Sequence, residues 1–294
     1  MTDYNYFIKE NQLVEPSYKL LKFSRKKNLV HETRAFTKRL YLQIYRKPSS
    51  SFASITQSLL WLILFSALFY EAPINITGQY NIKYFSFISY GLIIFTAFGS
   101  SINAGLPVIF DREFGFFNRI LTSPLNYKST ILFALLVYAA TVSIIQVICM
   151  IITSTFTSQL ALKLGNFIIT LGIASLITFG TAATSITVGL ILPGHIEFLA
   201  FTLLINLPTL FSSTIIAPLK FMPCWLQILA CINPLTYATE IVRYLCINKQ
   251  IIINTKIIET VWFQLNLTEG LTILIVINII SFVIAYAVLQ YKYN

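Results

Sequence analysis

The sequence predicts an all-α membrane protein with six transmembrane helices, on the evidence of its composition, its apolar runs and its charge distribution. Of its 294 residues, 56% are hydrophobic and only 11% are charged, and the mean hydropathy is +0.73. A soluble domain of this length is more polar. The apolar residues lie in continuous runs, not in the alternating pattern of a membrane β-barrel. Because only helices and closed barrels satisfy their own backbone in lipid, these runs are predicted to be helices.

Six apolar segments approach or exceed the roughly 20 residues that a helix needs to cross a bilayer. They cover residues 51–70, 84–110, 129–154, 167–192, 196–216 and 271–289. Prolines within or at the ends of these segments are expected to kink or end helices; they are Pro107, Pro193 and Pro208. In the fourth segment, small residues predict close helix packing; they are Gly172, Gly180, Ala183 and Thr184.

The charge distribution predicts the orientation. The first 50 residues carry 11 of the 21 Lys and Arg residues, and they lack the early apolar run of a cleavable signal peptide. With six spans and the N-terminus inside, 15 basic residues lie inside and six outside. This excess predicts that both ends of the chain are inside. The net charge of +10 then faces anionic lipid or a partner, and no motif supports binding to nucleic acid.

The pattern of polar and apolar residues divides the chain into three segments. Residues 1–30 are polar and are expected to be weakly ordered, residues 31–48 form an amphipathic interfacial helix, and residues 49–294 form the transmembrane domain. In the helix, Phe36, Leu40 and Ile44 recur at four-residue intervals. The basic residues lie elsewhere on the helix, which Pro48 ends; they are Arg34, Lys38, Arg39 and Arg46. This pattern favours the inner membrane interface, with a solvated juxtamembrane helix as the alternative.

The loop between the second and third spans contains FDREFGFFNRILTSPL, residues 110–125, which hold four charges, a glycine and a proline. The pattern predicts a helix of roughly 20 Å on the inner surface, ended by Pro124. Its apolar side would carry Phe110, Phe114, Phe117 and Leu121. Its polar side would carry Asp111, Arg112, Asn118, Arg119 and Thr122. An ordinary amphipathic loop helix is the bland alternative.

The large outer loop contains KFMPCWLQILACIN, residues 220–233, which is apolar but too short to span. We predict a re-entrant or interfacial segment there. The chain continues as PLTYATEIVRYL, in which Glu240 and Arg243 are spaced to pair on one helical turn. Trp225 and Tyr237 suit an interfacial aromatic belt. The sequence leaves open a disulfide between the two cysteines of this loop, Cys224 and Cys231, although apolar filling is favoured.

The sequence lacks the patterns of several kinds of active site. It contains no GxxxxGK[ST], HExxH or GxSxG, so no ATP site of its own, catalytic residue or metal site is predicted. The histidines, His31 and His195, lie in segments predicted to be inside, and neither belongs to a recognisable nucleophile-and-carboxylate motif. The spans also lack the buried charges of an ion relay, because Glu197, at the fourth-to-fifth turn, is predicted to be an inner-surface carboxylate. An enzyme and an ion-coupled carrier are both disfavoured.

Two segments resemble the ABC-2 type permeases, the membrane subunits of a class of ABC exporters. The inner segment is similar to the family signature D-R-E-x-G-T-x-x-x-L-L-x-x-P-L. It matches at Asp111, Arg112, Glu113, Gly115, Leu121, Pro124 and Leu125, and departs at Phe116 and Ile120. The outer segment is similar to the family's P-x-W-L-Q-x-x-A-x-x-N-P-L-T-Y pattern followed by an Arg. It matches at Pro223, Trp225, Leu226, Gln227, Ala230, Asn233, Pro234, Leu235, Thr236, Tyr237 and Arg243.

The resemblance implies a permease subunit that works as a homodimer with a separate ABC ATPase subunit, which binds the ATP. Residues 31–47 would be the interfacial connecting helix and residues 110–125 the coupling helix that docks into the ATPase. The implied ATPase contacts are Phe110, Asp111, Arg112, Glu113, Gly115, Arg119, Leu121 and Pro124. A non-transporting membrane scaffold that anchors a soluble partner is the alternative. The substrate stays open among lipids, amphiphilic drugs and glycans.

The resemblance also bears on location. The chain is rich in Ile, Asn, Lys, Phe and Tyr and has only 11 glycines, which suggests an AT-rich genome. Among ABC-2 permeases it is most similar to those encoded in algal plastids. A plastid membrane is therefore predicted, with a bacterial inner membrane as the alternative.

Overall fold

A computed structural model describes residues 25–46, 48–70, 82–117, 119, 129–158, 164–247, 256–259 and 264–293. The helices are α1 (Arg25–Arg46), α2 (Ser49–Leu68), α3 (Tyr84–Ser101), α4 (Leu106–Glu113), α5 (Ser129–Ser158), α6 (Leu164–Ile191), α7 (His195–Phe211), α8 (Cys224–Ile232), α9 (Pro234–Ile247) and α10 (Leu267–Tyr293). A 3-10 turn covers Leu219–Phe221, and the strands are β1 (Lys256–Glu259) and β2 (Gln264–Asn266).

The chain is mostly helical, as an all-α membrane protein requires. Among the described residues, four helical segments are long and apolar enough to cross a membrane: α3 together with α4, then α5, α6 and α10. The first and fifth predicted spans are shorter apolar helices, Phe52–Leu68 and His195–Phe211. The count of six spans and their orientation therefore stay predictions.

A small β-hairpin modifies the all-α prediction. Strands β1 and β2 pair antiparallel, with Lys256 opposite Asn266 and Glu259 opposite Gln264. The β1 sequence KIIE contains two β-branched residues, which favour an extended chain. The hairpin lies in the large outer loop, directly before α10.

The N-terminal helix also differs from its prediction. Helix α1 begins at Arg25 rather than at His31, and residues 1–24 lie outside the described part. Its apolar residues Phe36 and Leu40 pack against α5, beside Ile131 and Leu132. The apolar face that was expected to lie in the membrane interface is thus covered by protein.

Two apolar clusters lie at opposite ends of the bundle. The outer cluster joins α3 to the outer halves of α5 and α6 and to α9, which is buried over almost its whole length. The inner cluster joins α1, α4, the first turns of α5 and the ends of α6 and α10. Hydroxyl groups meet between the two clusters, where Ser143 and Thr178 lie 2.8 Å apart and Ser101 bonds Thr181.

The second predicted span is broken close to this polar layer. Helix α3 ends at Ser101 and α4 begins at Leu106, with Pro107 in its first turn. Ser185 of α6 bridges the two sides of the break by hydrogen bonds. Its Oγ accepts a hydrogen bond from Gly105 N at 2.9 Å and donates one to Ile102 O at 2.5 Å. The expected effect of Pro107 is confirmed, since a proline suits a helix start.

Of the other two prolines, one lies between helices and one lies inside a helix. Pro193 follows α6 and precedes α7, and Pro208 lies inside α7. The small residues of α6 differ in their surroundings. Gly180 packs against Asn278 of α10, whereas Gly172 has open space around it. The predicted close packing therefore holds at Gly180 and not at Gly172.

Candidate functional site

The inner signature does not form one continuous helix. Helix α4 ends at Glu113, and the chain turns at Phe114 and Gly115, whose φ of +70° is in the left-handed region. Helical geometry resumes at Phe116. A residue without a Cβ adopts this conformation at no steric cost, so Gly115 explains the break. Leu121 and Pro124 lie outside the described residues.

Asp111 joins α4 to the N-terminal helix. Its carboxylate accepts two hydrogen bonds from the Arg39 guanidinium, one of them from Nη1 to Oδ2 at 2.8 Å. The guanidinium also lies 3.9 Å from the centre of the Phe116 ring. A bidentate pair of this kind fixes both the distance and the relative orientation of its two partners. Helix α1 is therefore held to α4 by a specific contact.

Arg112 joins α4 to the end of α6. Its Nη1 donates hydrogen bonds to the carbonyl oxygens of Gly189, Leu190 and Leu192, at 2.8, 3.0 and 2.8 Å. The Nζ of Lys292, at the end of α10, donates to Leu190 O at 2.5 Å. The last carbonyls of a helix lack partners within the helix and form the negative end of its dipole. Arg112 and Lys292 therefore cap α6.

Glu113 joins α4 to the start of α7. Its Oε1 accepts a hydrogen bond from the backbone N–H of His195 at 2.7 Å, and its Oε2 lies 2.7 Å from Nδ1 of the same residue. The carboxylate thus satisfies a free N–H in the first turn of α7, where negative charge is favoured. A Cβ on Gly194 would lie 3.2 Å from Glu113 Oε1, so the glycine admits the carboxylate.

These residues form what we call the inner ionic cluster: Arg39, Asp111, Arg112, Glu113 and His195. The charges of the signature were predicted to lie on a face open to a soluble partner. In the structure they bond other parts of the same chain: Asp111 bonds Arg39 of α1, Arg112 bonds carbonyls at the end of α6, and Glu113 bonds His195 at the start of α7. Their contact with an ATPase stays a prediction.

The aromatic residues of the segment also depart from the predicted pattern. Phe114 is 81% exposed, Phe110 and Phe116 are partly exposed, and Phe117 is buried in the inner cluster. Because the chain turns at Gly115, Phe114 and Phe117 no longer share a face. Arg119 is exposed beside them. The exposed side chains of this segment are thus mainly aromatic.

A second constellation, the outer arginine site, lies at the opposite end of the bundle. Arg243 is fully buried and donates to the carbonyl oxygens of Phe87, Thr214 and Ile215, at 3.2, 2.7 and 2.9 Å. Its Nη1 also donates to Glu240 Oε1 at 2.8 Å, which confirms the predicted pair. The guanidinium lies 3.6 Å from the centre of the Phe87 ring. Each of the three guanidinium nitrogens therefore donates at least one hydrogen bond, the charge is paired with Glu240, and the planar face contacts a ring.

Other residues of the outer signature hold the turns of the loop. Gln227 donates to Met222 O at 2.9 Å, Asn233 donates to Thr209 O at 2.8 Å, and Tyr237 donates to Cys231 O at 2.5 Å. Asn233 Oδ1 also accepts from the N–H of Leu235 in the first turn of α9. These polar side chains satisfy the backbone where it leaves helical geometry.

Two prolines of the outer signature lie at helix starts, and its tryptophan lies at the surface. Pro223 precedes α8 and Pro234 begins α9, as the fixed φ of proline favours. Trp225 is 65% exposed on α8, whereas α9 is buried between α3, α6 and α10. Helix α8 is therefore partly exposed, whereas α9 lies in the interior. The re-entrant placement of the outer segment in a bilayer stays a prediction.

The cysteines and acidic residues of the described part add no further site. Each of the four cysteines is a free thiol. Over the described ranges, no three His, Cys, Asp or Glu side chains gather as a metal site. The absence of catalytic residues and of a cofactor stays a prediction.

Sequence reasoning missed the partners in the inner ionic cluster. Arg39 lies 72 positions from Asp111, and His195 lies 82 positions from Glu113. No spacing rule connects such distant positions. The one available signal was that Arg39 and His195 both fall in regions predicted to be inside.

Comparison with known proteins gives the family and its relatives. The family model described as ABC-2 type transporter matches residues 31–247, which include both signature segments. A relative from Porphyra purpurea is 40% identical over 279 residues, covering 94% of this chain and 96% of its own. A relative from Pyropia yezoensis is 42% identical and covers 91% of both chains, and one from Cyanophora paradoxa is 40% identical and covers 89% and 90%.

All three relatives carry the provisional name transport permease ycf38. They are encoded in algal plastid genomes. The predicted resemblance is confirmed, and the location of the relatives favours a plastid membrane for this chain.

Proposed function

Because the chain belongs to the ABC-2 type transporter family, we propose that it is the permease subunit of an ATP-driven exporter whose separate ATPase docks at residues 110–119. The chain is an integral membrane protein with the sequence of a transport permease. Two copies form the translocation path, and the ATPase subunits bind and hydrolyse ATP.

The inner ionic cluster is the observation that carries this proposal. Through Asp111, Arg112 and Glu113, one short helix is bonded to α1, to the end of α6 and to the start of α7. A displacement of α4 is therefore passed to three other elements at once. A docking element needs this kind of attachment if the closure of two ATPase subunits is to move the membrane helices.

The same segment offers a contact for a soluble protein. Phe114 projects from the turn that follows α4 and is 81% exposed. Phe110 stacks against it, with ring centres 6.1 Å apart. Aromatic side chains that are exposed in the free protein and fill a pocket on the partner dominate many interfaces. We infer that Phe114 inserts into a groove of the ATPase while the charges beside it hold the segment in shape.

The test is to isolate the full-length tagged chain from its native membrane in mild detergent. We expect an ABC ATPase subunit to be retained, and Phe114→Asp to reduce the retained amount at least tenfold. A tenfold reduction corresponds to about 1.4 kcal/mol, and substitution of a central interface residue typically costs about 2 kcal/mol or more. Phe156→Asp is the matched control, because Phe156 is 84% exposed at the predicted outer end of α5.

Each outcome decides between alternatives. Equal retention in the Phe114→Asp and Phe156→Asp variants contradicts docking at this segment. Retention of an ATPase whose hydrolysis rate the permease does not change, with or without candidate substrates in proteoliposomes, favours the scaffold alternative and contradicts transport.

A further inference from the structure

The residues on the exposed face of α1 change from basic to apolar along the helix. Exposed residues recur at intervals of three or four, first as His31, Arg34 and Lys38 and then as Leu42 and Tyr45. Leu42 is 47% exposed and Tyr45 is 85% exposed. The first part of the face is therefore basic, and the second part is apolar and aromatic.

The next helix in the chain, α2, also exposes apolar residues at intervals of three or four. Beyond Pro48, the exposed positions include Phe52, Thr56, Leu60 and Ile63. Phe52, Leu60 and Ile63 are all more than half exposed. Along the chain, the exposed residues thus change from basic to aromatic to aliphatic as it enters its first predicted span.

Contacts with α5 place α1 at the inner edge of the bundle. Tyr41 lies 6.0 Å from Tyr138, measured between ring centres, and its hydroxyl lies 2.5 Å from Thr141 Oγ1. Nearer its start, α1 contacts the first turn of α5, where Thr130 donates to Glu32 at 3.4 Å. Helix α1 therefore runs along the predicted inner part of α5. Tyrosine is enriched at the boundary between headgroups and hydrocarbon.

We propose that this face of α1 binds the headgroups of anionic lipids in the inner leaflet, through Arg34 and Lys38. Charge complementarity supports this occupant, because Glu32 is the one acidic residue of α1 and it lies toward α5 rather than on the exposed stripe. The exposed apolar residues of α2, which directly follows α1 in the chain, favour a membrane over a soluble partner. Tyr45 and Leu42 then lie in the interfacial layer below the phosphates.

The experiment uses the full-length chain purified in detergent and titrated with phosphatidylglycerol or with phosphatidylcholine of the same acyl chains. The midpoint of thermal unfolding reports binding. We expect phosphatidylglycerol to raise the midpoint and phosphatidylcholine to have little effect. For Arg34→Gln/Lys38→Gln, the lipid concentration at half effect should rise about thirty-fold, since each basic residue near an anionic surface contributes about five-fold.

The control is Lys83→Gln/Lys220→Gln, which removes the same charge from exposed residues on the predicted outer side. It should respond to phosphatidylglycerol as the unchanged chain does. An unchanged half-effect concentration in Arg34→Gln/Lys38→Gln, or an equal response to both lipids, overturns the proposal. If that variant loses a co-purifying ATPase subunit and keeps its lipid response, the face is a protein contact and the proposal is likewise overturned.

Discussion

Arg243 shows how a charge is accommodated inside an apolar bundle. Its guanidinium is surrounded by three backbone carbonyls, one carboxylate and one aromatic ring. Gly91 makes room for it, because a Cβ there would lie 3.1 Å from Arg243 Nη2. A buried charge is tolerated only when its donors are satisfied in this way. The site thus fastens α9 to α3 and to the chain that follows α7.

Removing this side chain is predicted to destabilise the protein strongly. Arg243→Gln leaves Glu240 buried without its ion-pair partner and leaves carbonyls without donors, which costs about 3–5 kcal/mol of the free energy of unfolding. Glu240→Gln should cost less, because it keeps an acceptor for Arg243. Denaturant unfolding of the purified chain in detergent measures both values.

A surface arginine supplies the comparison for this experiment. Arg46 is exposed at the end of α1, and Arg46→Gln should change the free energy of unfolding by no more than about 0.5 kcal/mol. Similar unfolding curves for Arg243→Gln and Arg46→Gln would mean that the outer arginine site contributes nothing to stability.

Among the elements, the break between α3 and α4 depends on two glycines. A Cβ on Gly105 would overlap Ser185 O, and a Cβ on Gly189 would lie 2.9 Å from Gly105 O and 3.2 Å from its Cα. The backbone of the break therefore lies directly on α6. This close approach lets Ser185 reach both sides of the break and brings Arg112 to the end of α6.

Gly189→Ala is predicted to separate these two elements. The added methyl group meets backbone atoms, which cannot move aside as a flexible side chain does, so the cost is about 1–3 kcal/mol of the free energy of unfolding. Gly172→Ala in the same helix is the control, because nothing lies within 4 Å of the added Cβ. The control should be as stable as the unchanged chain or more stable by up to about 1 kcal/mol, because Ala has the higher helix propensity. Equal changes in both variants would contradict close packing at the break.

At the scale of the whole molecule, the inner ionic cluster connects two functions that the sequence suggested separately. Helix α1 carries the proposed lipid contact, and the turn after α4 carries the proposed ATPase contact. The Arg39–Asp111 pair is the direct link between them. If the docking segment moves, α1 must therefore either move with it or oppose the movement.

Exchanging the two charges tests this link. Asp111→Arg alone places like charges together and should lower the free energy of unfolding, and Arg39→Asp alone should do the same. The double exchange should recover about 1–2 kcal/mol through their coupling. Recovery should be incomplete, because Asp at position 39 cannot replace the contact between Arg39 and the Phe116 ring.

The measurement is a double-mutant cycle of unfolding, together with ATP hydrolysis by the retained ATPase. Recovery of coupled hydrolysis in the double variant would support transmission through the pair. Additive losses, with no recovery in either measurement, would show that α1 and α4 act independently.

The sequence determined the features that neighbouring residues encode. The membrane class follows from the apolar runs, the family from two signature segments, and the Glu240–Arg243 pair from a spacing of one helical turn. The positions of Pro107 and Pro193 likewise indicated where helices begin and end. Each of these depends on local geometry, which a short stretch of chain carries by itself.

Tertiary structure alone decided which distant groups meet and what covers each apolar face. The predicted ATPase contact of Asp111, Arg112 and Glu113 stays a prediction, whereas packing of α4 against α1, α6 and α7 brings them bonding partners within the chain from more than 70 positions away. The apolar face of α1 was expected at the inner membrane interface and lies on α5. Lipid chains and leucine side chains are equally apolar, so an amphipathic pattern cannot say which of them it will meet.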